Sequence, residues 1–105
     1  MAEQSKYNVI ISTRATRMLV SHVAFLASVN EDAAGRLTDD FEEAASSLKM
    51  MPHRCPWFEQ PYIPKNKYRS LLFGKRYLML FQIKDHTVFL DYVLDCRQDY
   101  QWLLY

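Results

Sequence analysis

Lys65, Lys67, Arg69, Lys75 and Arg76 crowd into one twelve-residue stretch, and Arg97 adds a further cation downstream. Guanidinium and ammonium groups combine charge with several N–H donors, so such a patch suits phosphate oxygens or carboxylates. The same residues along an exposed edge strand would serve only to keep that edge solvated. Arg97 also stands between Asp95 and Asp99, and a structural ion pair with either is its plainer role. Tyr100 and Tyr105 could supply a proton to a leaving group, although terminal rings more commonly pack.

A second set of residues bears on metal chemistry. His53, Cys55, His86 and Cys96 are ligand types, but only His53 and Cys55 are close in sequence. Structural zinc sites usually draw their ligands from close pairs, so no metal and no other cofactor is expected. His22 falls within a helical stretch and is expected to pack or face solvent. The two cysteines form no C-x-x-C pair, and both are expected to be reduced, partly buried thiols. No apolar run approaches the ~20 residues that span a bilayer, and the opening segment MAEQSKYNV lacks a signal-peptide core. The cytoplasm is the expected compartment, with no membrane partner.

The chain has 105 residues and a formal net charge of +1. That length predicts a single domain over residues 1–105. Half of the residues are apolar, enough for a core without disulfides or metal. The near-neutral balance gives no global field toward nucleic acid, so any electrostatic function depends on where charges sit.

The elements that position these groups follow from hydrophobic period. Residues 6–12, KYNVIIS, predict a strand ending at Ser12 and Thr13, either of which can cap a helix. Ala15, Met18, Leu19, Val23, Leu26 and Val29 then keep helical spacing over Arg14–Val29. Asn30 ends this helix and can cap a second, with Glu31 and Asp32 in its first turn, where the dipole favours acid. Ala34, Leu37, Phe41, Ala44, Leu48 and Met51 form the apolar stripe of that helix, which Pro52 terminates. Residues 52–66 hold all four prolines, which exclude helix and interrupt central strands. Their aromatic content, Trp57, Phe58 and Tyr62, marks either a docking element or a lid with Trp57 and Phe58 buried. The period then becomes two over Lys67–Phe73, Arg76–Ile83 and Thr87–Leu94, joined by short turns as in an antiparallel meander. A final turn or short helix is expected over Arg97–Leu104. The sum is an α+β fold of order β-α-α-β-β-β, a helical hairpin packed on a small, mainly antiparallel sheet.

This order and the phrases Tyr68-Arg69, Lys75-Arg76-Tyr77-Leu78 and Asp95-Cys96-Arg97-Gln98-Asp99-Tyr100 resemble the RelE/ParE superfamily of bacterial toxins. The resemblance extends from Tyr7 over nearly the whole chain. It implies the toxin of a type II toxin–antitoxin pair, held inactive by an antitoxin that wraps around it. The superfamily divides by target. RelE-like members cleave messenger RNA on the ribosome, and ParE-like members inhibit DNA gyrase without nuclease activity.

RNA cleavage through the 2′-hydroxyl needs a base, cations on the scissile phosphate and an acid for the leaving oxygen. By resemblance, Arg69 and Arg97 match cationic positions of the RelE-like set, with Arg76 and Tyr100 as further candidates. The family's central-strand arginine corresponds to Leu78 here, the next cation after Arg69 to Leu71, and the C-terminal aromatic acid lies nearest Leu103. Strand alternation puts Arg76 on the same face as Leu78, from which it could reach the same groove. Two functions therefore stay open: a ribosome-dependent endoribonuclease, or a binding module that blocks a topoisomerase. A member that has kept the fold and lost toxicity is the third possibility.

Overall fold

The computed structural model describes residues 6–61 and 63–96. Within them run β1 (Asn8–Ile11), α1 (Thr13–Ala27), α2 (Glu31–Ser47), a 3-10 turn (Pro52–Arg54), β2 (Arg69–Phe73), β3 (Tyr77–Lys84) and β4 (Thr87–Asp95). The expected order β-α-α-β-β-β is the observed one. The terminal turn expected over Arg97–Leu104 lies outside the described residues, as does Tyr62.

The four strands form one sheet in the order β1-β4-β3-β2. β2, β3 and β4 make the antiparallel meander, and β1 joins β4 in parallel, Asn8 opposite Thr87 and Ile11 opposite Leu90. β4 carries a bulge: Leu80 pairs with Tyr92 and Phe81 with Leu90, which leaves Asp91 as the extra residue. It lies where β1 ends. There the Ser12 amide donates to the Leu90 carbonyl at 3.0 Å, and the Ser12 hydroxyl reaches the Asp91 carbonyl at 3.4 Å.

Both helices begin on side-chain caps that satisfy otherwise orphaned N–H groups. The Ser12 Oγ accepts from the Ala15 amide at 2.9 Å, and the Asn30 Oδ1 accepts from the Ala33 amide at 3.1 Å. The ends differ from the apolar stripes. α1 stops at Ala27, so Val29 is 73% exposed rather than packed. α2 stops at Ser47, and Met51 takes a left-handed φ of 50° and is 66% exposed. A residue before proline is disfavoured in the right-handed helical region, which ends the periodicity before the last apolar residue. Pro52 then opens the 3-10 turn, a position where proline loses no hydrogen bond.

Each sheet face has its own core. Phe73, Tyr77, Met79, Phe81, Val88, Leu90 and Val93 pack against Ala15, Leu37, Phe41, Ala45 and Leu48 of the helical layer. On the opposite face Leu80, Tyr92 and Leu94 pack beneath Phe58, with Ile63, Tyr68 and Leu78 at the margin. The proline-rich segment is thus the second cover of the sheet. The Phe58 amide donates to the Tyr68 carbonyl at 2.7 Å, and the Ser70 amide to the Pro56 carbonyl at 3.0 Å. Phe58 is buried as expected of a lid, whereas Trp57 remains 39% exposed. Of the thiols, Cys55 is buried but Cys96 is exposed, because Cys96 follows the last strand residue.

Candidate functional site

Arg69 opens β2. Leu71 and Phe73, two and four residues on, face the helices, and alternation puts Arg69 on that same side. At this end of the strand its guanidinium lies 4.0 Å from the centroid of the Trp57 ring. Its Nη1 donates to the carbonyls of Cys55 at 2.7 Å and His53 at 3.1 Å. Carbonyls at the end of a helical turn lack partners within it, and the cation supplies them. Arg69 therefore clamps the 3-10 turn and the start of the lid onto β2.

Arg76 belongs to the turn beyond the other end of β2. A five-residue strand spans roughly 13 Å between its terminal Cα atoms, so the structure does not bring these two arginines together. The Arg76 Nη2 donates to the Tyr77 hydroxyl at 3.5 Å, and its guanidinium lies 5.5 Å from that ring's centroid. It leans toward the helical layer, beside Arg36 and Asp40 of α2. Leu78 instead joins the margin of the opposite cluster, with Phe58, Leu80 and Leu94. The groove that alternation assigned to both Arg76 and Leu78 is thus not shared. Arg97 and Tyr100 lie outside the described residues; Cys96, which precedes Arg97, donates its amide to the Arg76 carbonyl at 2.7 Å.

The ligand-type residues have other partners. The His22 Nε2 donates to the Val93 carbonyl at 2.9 Å, and its ring sits 5.4 Å from Tyr77. It serves the stretch of β4 that extends past β1. His86 stacks on Tyr7 at 4.7 Å, and His53 meets the same ring edge-on at 5.9 Å. Burial pushes the Cys55 thiol up from its ordinary pKa, against the opposing charges of Arg54 and Arg69. It is therefore a poor thiolate and a poor nucleophile.

A cluster absent from the sequence-based candidates lies on the lid side of the sheet. The Arg14 Nη1 donates to the Tyr92 hydroxyl at 2.9 Å. Tyr68 meets the Tyr92 ring at 5.7 Å and 86°. Burial first, then Tyr92 and Asp91, push the Tyr68 hydroxyl up to about 12. A phenol so shifted holds its proton and is a weak general acid. Arg14 and Tyr92 are separated by 78 residues of chain, so no local spacing announces the pair.

The sequence model describing the ParE toxin of the type II toxin–antitoxin system, parDE, matches residues 9–100. Among solved structures, a chain from the chromosomal ParDE toxin–antitoxin system of P. aeruginosa superposes with a TM-score of 0.72. The two share 12% identity over 87% of this chain and 97% of that one, a likeness of fold alone. No curated protein sequence matches the chain.

Proposed function

The chain belongs to the ParE toxin family of type II toxin–antitoxin systems, and from that premise we propose that it arrests bacterial growth by binding DNA gyrase rather than by cutting RNA. The observation that carries this reading is the engagement of Arg69. A cation that stabilises a scissile phosphate must hold its donors ready for substrate. Here Nη1 donates to two backbone carbonyls while the guanidinium lies over Trp57. The separation of Arg76 and the apolar setting of Leu78 argue in the same direction. Inhibition through binding needs a shaped surface and no acid–base constellation.

The antitoxin of such a system must cover exposed apolar surface, and this reading gives it a place. Val9, Ile11, Leu19, Phe41 and Ala45 line a groove of about 430 Å³ between the edge strand β1 and the helices. An extended segment can pair with such an edge while its side chains fill the groove. Toxin, antitoxin and target would meet in the cytoplasm.

Purified chain added to gyrase and relaxed plasmid tests the proposal, with ribosomes translating a labelled message in parallel. Inhibited supercoiling with an intact message is the expected result. Cleaved message with normal supercoiling would overturn it.

A further inference from the structure

Resting on that reading, we propose that the cavity between α2 and the β2–β3 turn takes one carboxylate and a neighbouring aliphatic side chain from an acidic segment of the target protein.

The cavity has a volume of about 340 Å³. Leu26, Ala33 and Leu37 give it an apolar floor, and Arg36, Lys75 and Arg76 stand around it with a single carboxylate, Asp40. Three cations against one acid is a local excess in a chain whose total is only +1. Among the described residues none of the three is paired with a carboxylate. Among the described residues the Arg76 guanidinium reaches the Tyr77 side chain, by a long 3.5 Å bond to its hydroxyl and a ring contact at 5.5 Å. This distinguishes them from Arg14, Arg54 and Arg69, whose guanidinium groups donate to protein partners at 2.7–3.3 Å.

The turn that carries two of the cations is set firmly on α2. Gly74 has a φ of +57°, and a Cβ there would lie 3.2 Å from the Leu37 side chain. Lys75 follows at a φ of 72°. The absence of a side chain at Gly74 lets the turn approach the helix and keeps the wall in place without a ligand. The backbone of the wall then needs little reordering when one binds, and the ordering falls on the exposed Arg36 and Lys75 side chains.

The occupant follows from size and charge. Nucleic acid presents a row of phosphates and rewards an extended basic surface. This cavity is small, and Asp40 within it would repel a second anion. A single carboxylate satisfies the excess charge, and an adjacent Leu- or Ile-sized group covers the floor. Both demands are met by an acidic peptide with apolar residues beside its acids.

The test uses the full chain with a fluorescent Leu-Glu-Leu-Ala-Glu-Leu-Ser peptide, its Glu→Gln counterpart, and a seven-nucleotide RNA, followed by anisotropy and amide NMR shifts. Arg36 and Lys75 are exposed, so the R36Q/K75Q pair leaves the core untouched. The expected result is peptide binding that weakens with salt and shifts the amides of Gly74 and Lys75. Affinity should fall about tenfold in the double variant and with the Gln peptide. Equal binding by variant and parent, or shifts confined elsewhere, would overturn the site. Tighter binding of the RNA, lost in the same variant, would overturn the choice of ligand. Supercoiling inhibition by the parent protein is scored separately. If it is absent, gyrase fails as the target while the peptide result still decides the cavity.

Discussion

Arg69 shows how a side chain of catalytic type takes a structural task. Its Nη1 bonds to His53 and Cys55 lie sixteen and fourteen residues upstream, so replacing it strands two carbonyls and frees the turn. Arg69→Ala should lower stability by roughly 1–3 kcal/mol in urea unfolding, and toxicity should fall only in step with folded protein. Lost toxicity at unchanged stability would instead mark Arg69 as a functional cation. The thiols divide by setting. Cys96 is exposed and Cys55 is buried with a raised pKa, so a thiol reagent should modify Cys96 quickly and Cys55 only on unfolding. Tyr68 gives a pH dependence whose sign is fixed. Its hydroxyl titrates near 12 when folded against an ordinary 10, so ionisation favours the unfolded chain. The Tyr68 contribution to stability should be level below pH 10, fall from pH 10 to 12, then level again, and it is read as the difference between the parent and Tyr68→Phe across that range.

At the scale of elements, the lid and the edge strand carry the clearest expectations. Phe58 is the buried anchor of the second sheet face, with Leu80, Tyr92 and Leu94 beneath it. Phe58→Ala should cost about 3–5 kcal/mol in denaturant unfolding, whereas a merely tethered loop would lose far less. Along β1, Ile11 is 39% exposed and lines the proposed antitoxin groove. Ile11→Asp should weaken antitoxin binding by roughly thirtyfold in calorimetry, and unchanged affinity would place the antitoxin elsewhere. These elements were largely legible in the residues. The Ser12 and Asn30 caps, the stripe from Ala34 to Leu48 and the strand alternation all act within a few positions of chain. The helix ends were not, because Val29 and Met51 kept the period beyond the point where the backbone turns away.

For the whole molecule, what the sequence left unread is what long-range packing decides. The α+β order follows from local patterns, but the parallel register of β1 on β4 joins residues nearly eighty positions apart, and the Arg14–Tyr92 bond spans a similar gap. Neither leaves a local signature. Cationic residue types were likewise visible without their assembly. Arg69 at the start of β2 holds the lid, and Arg76 stands in the turn past the other end of that strand, so among the described residues these two arginines do not come together. This separation, in a chain of net charge +1, supports the proposal of a toxin that binds a protein over one that grips RNA. The most direct test is pulse-labelling of a bacterial culture after induced expression, following thymidine and methionine incorporation over the first minutes. Early loss of thymidine incorporation, with methionine incorporation sustained and cells forming filaments, is the predicted result. Immediate loss of methionine incorporation while DNA synthesis continues would contradict the account.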